Sequence, residues 1–350
     1  MSFRRLGALV ATMALALGAC GTGGGGNTCT VGVSWNNYQE ERWAKWDEPA
    51  IKAAIEAGGG KYISNDAKSS AETQATNIET LQSSGAKVVI VLAQDGEAVK
   101  PAVAAAIADG IPVIAYDRLI EDPKALYITF DNVGVGKLEA EAVLAVVNKG
   151  NFVIIKGNSA DANADFLREG YVQAGVPEEG ATGGDINIVG ETYTDNWDPA
   201  LAQTEMEQFL TDNDNKVDAV LAENDGMAGG VIAALDAQGL AGTVPVSGQD
   251  GDLGALNRVA LGTQTVSVWK DARELGKADG TAAVALCKDK DITKVTGTIQ
   301  FDSPGGNSMT SILLTPIAIT KDNLKVVLDA GWITAADLCK DVTAGSVEGC

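Results

Sequence analysis

The chain has 350 residues, 45% of them apolar and 21% charged, a globular composition with length for one large or two ordinary domains. A formal charge of −21 leaves no basic face for nucleic acid or for an anionic membrane surface. With no histidine at all, Ser-His-Asp and Cys-His nucleophile chemistry and histidine-based zinc sites are excluded.

The N-terminus reads as a targeting segment. Arg4 and Arg5 form a positive start, and Leu6 to Ala16 an apolar stretch too short to span a bilayer. Leu17-Gly18-Ala19-Cys20 has the pattern of a bacterial lipoprotein cleavage box, so residues 1–19 are expected to be a signal peptide and Cys20 the lipidated first residue. An ordinary secretory signal cut near Ala19 is the alternative. Residues 20–29, rich in glycine, then serve as a tether. The expected place is extracytoplasmic, at the cell membrane, with the folded part in water. In that oxidising compartment the remaining four cysteines can pair in three ways. Cys29–Cys287 and Cys339–Cys350 are favoured: Cys29 precedes the first strand and Cys287 ends a helix near 271–287, and strand starts and helix ends share one edge of a parallel sheet.

From Thr30 onward, strands and helices alternate, the βαβ signature of an α/β fold with parallel sheets. Apolar, non-alternating runs predict buried strands at Thr30–Ser34, Lys87–Leu92, Ile111–Tyr116 and Leu126–Phe130, then at Phe152–Ile155, Asn187–Glu191, Val217–Ala222, Val244–Ser247 and Thr265–Val268. Helices are predicted at Ala98–Ala108, Val133–Val147, Ala200–Leu210 and Met227–Gln238, and Pro49 should kink or delay the first helix. The first series of units ends near Asp131-Asn132. The organisation expected is a first lobe of 30–131 plus 271–303 and a second lobe of 132–270 plus 304–350.

Two apparent motifs fail on inspection. Gly134-Val135-Gly136-Lys137 lacks the upstream glycine and the Ser/Thr of a phosphate loop. Asp212, Asp214 and Glu223 have calcium-loop spacing, but Lys216 and Val217 stand where a ligand and a glycine are needed. No cofactor and no metal is therefore expected.

The informative pattern is at the predicted strand ends. Ala108–Asp117 and Ala241–Asp250 each read as helix end, glycine break, short strand with proline, and a final acid, suggesting two similar lobes. Every unit delivers a polar or aromatic group to the carboxyl edge, where open α/β sheets bind ligands. These are Glu41-Arg42-Trp43, Gln94-Asp95, Tyr116-Asp117-Arg118, Asn163, Asn196-Trp197-Asp198, Glu223-Asn224-Asp225, Gln249-Asp250 and Trp269-Lys270. Asp225 and Asp252 read as helix caps, and Glu97 and Arg168 as surface or cap residues. The collection suits a sugar: indoles for the C–H faces, and acids, amides and guanidinium groups for hydroxyls that both donate and accept.

These residues carry a family resemblance. Glu41-Arg42-Trp43, Tyr116-Asp117-Arg118, Asn224-Asp225, Ser247-Gly248-Gln249-Asp250 and Leu313-Leu314-Thr315-Pro316 make residues 30–320 resemble the D-xylose-binding proteins of bacterial ABC importers, in the pentose/hexose-binding class. The resemblance implies the type I periplasmic-binding-protein fold: two Rossmann-like lobes with parallel central sheets, joined by a three-crossover hinge. It further implies sugar contacts from Arg42, Asp117, Arg118, Asn163, Asn224, Asp250 and Lys270, with Trp197 stacking and Trp43 lining the pocket. Trp35-Asn36-Asn37-Tyr38-Gln39-Glu40 departs from the charged pattern expected there, which bears on which sugar is bound.

The expected function is a lipid-anchored solute-binding protein that captures a monosaccharide, D-xylose foremost, and delivers it to an ABC permease. Another sugar (glucose, ribose, arabinose, galactose) or a sugar-presenting sensory role are the alternatives. An enzyme using Asp117 and Asp250 as paired carboxylates is disfavoured, because Arg118 and Lys270 would keep both ionised and leave no general acid.

Overall fold

The computed structural model describes residues 29–181 and 183–350. The signal segment, Cys20 and tether residues up to 28 lie outside the described residues.

The first lobe opens with β1 (Thr30–Trp35), a five-residue π-helical turn (Trp43–Asp47), α1 (Glu48–Ala57), β2 (Lys61–Asp66), α2 (Ala71–Ser83), β3 (Val88–Val91), α3 (Lys100–Ala108), β4 (Val113–Tyr116) and β5 (Leu126–Phe130). The second continues with α4 (Asn132–Leu144), β6 (Gly150–Lys156), α5 (Ala162–Ala174), β7 (Ile186–Tyr193), α6 (Pro199–Asp212), β8 (Ala219–Ala222), α7 (Asp225–Asp236), α8 (Leu253–Leu261) and β9 (Ser267–Trp269). Then follow α9 (Ala272–Lys288), β10 (Ile299–Asp302), β11 (Ser308–Leu314), β12 (Ile317–Ile319), α10 (Lys325–Asp329) and α11 (Ala335–Leu338).

The first sheet has the order β10-β11-β5-β4-β3-β1-β2, parallel except for the β10–β11 hairpin. Its apolar runs split by strand period: Val88 and Ile90 pack toward α1 and α9, while Val89 and Val91 pack toward α2 and α3. The second lobe repeats this with β7-β6-β8, where Val153 and Ile155 face α6 and α7 and Phe152 and Ile154 face α4 and α5. Helices on both faces explain why these strands read as continuous hydrophobic runs.

The sequence reading needs correcting in three places. Val244–Ser247 forms only isolated bridges, Val246 with Val220 and Val244 with Ala241, and Pro245 between them has no N–H with which to extend a ladder. Lys61–Asp66, too polar to read as a strand, is the edge strand β2 beside β1. The segment 304–314 stays in the first lobe. Pro304-Gly305-Gly306 is a hairpin turn, closed by Ser303 N–H donating to Asn307 O at 2.9 Å, and β11 pairs in parallel with β5. The chain therefore returns to the second lobe only after Leu314, where β12 pairs with β9. It passes between lobes at Asp131, at Lys270-Asp271 and at Thr315-Pro316, three crossovers in all. Pro49 sits in the first turn of α1, directly after the π-helical turn, as its missing N–H requires.

Among the described residues, two disulfides close the structure. Cys29–Cys287 ties the start of β1 to the end of α9, and Cys339–Cys350 closes the C-terminal segment. Near the hinge, Trp46 of the first lobe stacks on Trp332 of that segment with ring centroids 4.5 Å apart, and Arg273 lies over both rings.

The Gly134–Lys137 segment turns out to serve packing. A Cβ on Gly136 would lie 2.1 Å from Leu167 O, and one on Gly170 would lie 2.2 Å from Val133 O, so α4 and α5 meet backbone to backbone. Gly136→Ala should force these helices apart and destabilise the protein by about 1–3 kcal/mol or more, the usual cost of overpacking. Chemical denaturation checks this, and an unchanged midpoint would contradict it.

Candidate functional site

The carboxyl ends of the strands from both lobes converge on one small, polar cavity. It is lined by Arg42, Trp43, Asp117, Arg118, Asn163, Trp197, Asn224, Asp250 and Lys270, all nine singled out from the sequence. Glu40, Asp161 and Gln249 complete the lining.

Arg42 is the central charge. Its Nε and Nη2 donate to Asp47 at 3.1 and 2.8 Å, and Nη1 lies 3.0 Å from Asp117 Oδ2 and 3.2 Å from Asp250 Oδ1. Lys270 Nζ reaches the same Asp250 oxygen at 2.9 Å. Arg118 donates to Glu40 at 2.7 Å and to Ala93 O at 3.3 Å, and its Nε lies 2.9 Å from Asp161. Asn163 Nδ2 donates to Asp117 Oδ1 at 3.3 Å, and Gln94 Nε2 donates to Asn196 Oδ1 at 2.8 Å. The Arg42–Asp250, Arg118–Asp161, Asn163–Asp117 and Gln94–Asn196 contacts all run from one lobe to the other.

Strained backbone marks the same place. Asp117, Asn196, Trp197 and Asp250 have φ of 61°, 57°, 57° and 102°, a region that residues other than glycine rarely adopt. The two acids paired by the sequence, Asp117 and Asp250, thus both hold a positive φ. Trp197 lies on bare backbone: a Cβ on Gly157 would fall 2.2 Å from its ring. Gly157 is held in turn by Glu223, whose Oε2 accepts its N–H at 2.6 Å. Trp197 Nε1 and Gln249 Oε1 are buried at the cavity without a partner, leaving one donor and one acceptor uncommitted.

At the start of α7 the helix cap falls one residue earlier than expected. Asn224, expected as a contact, is also the N-cap of α7, its Oδ1 accepting from Met227 N–H at 2.8 Å, which leaves its Nδ2 for the cavity. Asp225, expected as a cap, is buried and accepts from Gly251, Asp252, Ser267 and Gln264 behind the Asp250 turn. Arg168 is not a surface residue: it is buried and pairs with Glu191 at 2.9 Å. The exposed Glu97 pairs with Lys100.

Residues 31–291 match the family described as periplasmic binding protein domain. The D-xylose-binding periplasmic protein of Escherichia coli (strain K12) is 37% identical over 310 residues, 88% of this chain and 92% of its own length. The chain belongs to the periplasmic binding protein family. The D-xylose-binding periplasmic protein of Haemophilus influenzae is 35% identical over 306 residues, 87% of this chain and 90% of its own. Among solved structures, a solute-binding protein of an ABC transporter from Clostridium phytofermentans, with bound β-D-glucose, aligns with a TM-score of 0.76 at 28% identity. That alignment covers 88% of this chain and 99% of the other. The Caulobacter myo-inositol binding protein, bound to myo-inositol, aligns with a TM-score of 0.75 at 25% identity, over 88% and 98% of the two chains.

As a periplasmic binding protein the chain is a binder rather than an enzyme, and its electrostatics agree. Burial would raise the Asp117 carboxyl, but Arg42, Lys270 and Arg118 outweigh it and hold the acid below its usual range, so it cannot donate a proton. Burial pushes Asp47 and Asp161 up to about 6 from 3.8, against the pull of Arg42 and Arg118 respectively.

A pH dependence follows from these directions. Between 3.8 and about 6 the folded protein holds protons on Asp47 and Asp161 that the unfolded chain has released, so unfolding free energy falls as pH rises through that window. The lowered Asp117 contributes stability that is present above 3.8 and lost in stronger acid. The melting temperature should therefore peak near about pH 4 and decline toward neutrality. Calorimetric scans from pH 3 to 8 test this, and a steady rise from pH 4 to 7 would contradict it.

Proposed function

We propose that this protein captures a monosaccharide, D-xylose foremost, between its lobes and delivers it to the permease of an ABC importer. It would work outside the cytoplasm, held at the membrane by a lipid on Cys20. One observation carries the reading: a small cavity between the lobes whose lining pairs indoles with acids, amides and cations from both of them. Such a lining satisfies hydroxyls that donate to carboxylates and accept from guanidinium and ammonium groups. The D-xylose-binding relatives at 37% and 35% identity support xylose. The proposed contacts are Arg42, Asp117, Arg118, Asn163, Asn224, Asp250 and Lys270 at the rim of the ring, with Trp197 stacking and Trp43 as a wall.

Closure would be a hinge motion at the three crossovers, with the sugar favouring the closed form through contacts to both lobes. Hydrogen bonds to charged groups contribute ~1.5–3 kcal/mol each, so six or more supply about 9–18 kcal/mol, from which ordering and desolvation are subtracted to reach the ~8 kcal/mol of micromolar binding. Another neutral ring is the second reading, favoured by the neighbouring structures that hold β-D-glucose and myo-inositol.

Titration calorimetry of the purified protein against xylose, ribose, glucose, galactose and arabinose should show heat with xylose. Heat with none of them would discard the monosaccharide reading. Trp197→Ala and Asp250→Ala should each weaken binding more than tenfold, ~1.4 kcal/mol. Retained affinity in both would mean that the site lies elsewhere.

A further inference from the structure

The segment before Glu41, which departs from the family pattern, supplies a lining residue that the proposed sugar contacts leave unused. Glu40 lies on the connection that follows β1, and its side chain is 8% exposed. Its Oε2 accepts the Trp43 indole N–H at 2.7 Å, and its Oε1 accepts from Arg118 Nη2 at 2.7 Å. One carboxylate therefore joins the loop after β1 to the end of β4. Trp43 is fixed twice: at its N–H by Glu40, and at its face by the Arg42 guanidinium 4.3 Å from the ring centroid. A wall held at two points cannot swing aside to admit a larger ring.

We infer that Glu40 is a specificity-determining residue that locks the Trp43–Arg118 wall and thereby restricts the cavity to a pyranose without an exocyclic hydroxymethyl group. This rests on the sugar-binding reading and deepens it. Both Glu40 oxygens are committed to protein donors, so the residue acts by holding the wall rather than by offering a free acceptor to the ligand. A hexose adds one CH₂OH to the pentose ring, and a Trp43 indole held by Glu40 and Arg42, beside an Arg118 held by Glu40, cannot move to make room for it. One added or missing carbon in a fixed pocket changes affinity roughly 10–200-fold.

The test is calorimetry with D-xylose and D-glucose on the wild-type chain, Glu40→Ala, Glu40→Gln and Trp43→Phe, with melting temperature as a control for folding. Glu40→Ala releases the indole and opens space, and should narrow the xylose-over-glucose ratio at least tenfold. Glu40→Gln keeps the volume and an oxygen for the indole but loses the ion pair to Arg118, so it should weaken both sugars together with the ratio kept. Trp43→Phe removes the N–H that Glu40 holds and should narrow the ratio even where Glu40→Ala does not fold. A ratio unchanged in both Glu40→Ala and Trp43→Phe overturns the inference, as does a wild type that takes glucose as tightly as xylose. Absence of heat from any monosaccharide in the wild type is a separate outcome, which removes the sugar reading itself and this inference with it.

Discussion

Arg42 places a single guanidinium among Asp47 of its own lobe, Asp117 at the end of β4 and Asp250 of the opposite lobe, and so ties the two halves of the cavity to one charge. A buried cation of this kind is tolerable only if it is fully paired, since removing one partner of a buried pair costs about 3–5 kcal/mol. Lys270 at the second crossover and Arg118 beside Asp117 extend the same pattern, so four lining carboxylates (Glu40, Asp117, Asp161, Asp250) face three lining cations. When the lobes part, water can take over from the ion pairs that run between them. The charges then lose direct partners and regain hydration, two large terms of opposite sign. A small net balance is what a ligand-driven closure needs, because a bound molecule can shift an equilibrium only by its own differential affinity.

The backbone contributes the second constraint. Four non-glycine residues at the cavity hold φ above 50°, each of them at a cost of order 1–3 kcal/mol. Flanking packing holds them there: Asp225 accepts four hydrogen bonds behind the Asp250 turn, and Trp332 Nε1 donates to Gly251 O at 2.6 Å. The binding groups are thus presented in fixed directions before any ligand arrives, which lowers the ordering cost of association.

Much of this was legible in the chain. Alternating apolar strands and alanine-rich helices revealed the two lobes, and the polar residues at the strand ends converge as their positions implied. What escaped had physical reasons. Lys61–Asp66 carries no apolar run because an edge strand covered on one side does not need one. The return to the second lobe was placed too early because Pro304-Gly305-Gly306 reads equally as a linker and as a hairpin turn, and only pairing of β11 with β5 decides between them. Asp161 and Glu40 look like ordinary loop acids until the fold brings Arg118 between them. The helix cap was placed on Asp225 rather than Asn224, because a cap and a buried acceptor here differ by one residue of register.

The disulfide between Cys29 and Cys287 has a consequence for how the chain is made. A chain released from its N-terminus exposes Cys29 while its partner is still 258 residues behind. No cysteine occurs between them, so in that interval the thiol has one wrong partner within the chain, Cys20. A thioether-linked lipid on Cys20 would take that sulfur out of disulfide chemistry altogether. Processing at the membrane would then act as a proofreading step for oxidation: the proposed lipid would leave Cys29 no partner but the correct one until Cys339 and Cys350 emerge and close on each other.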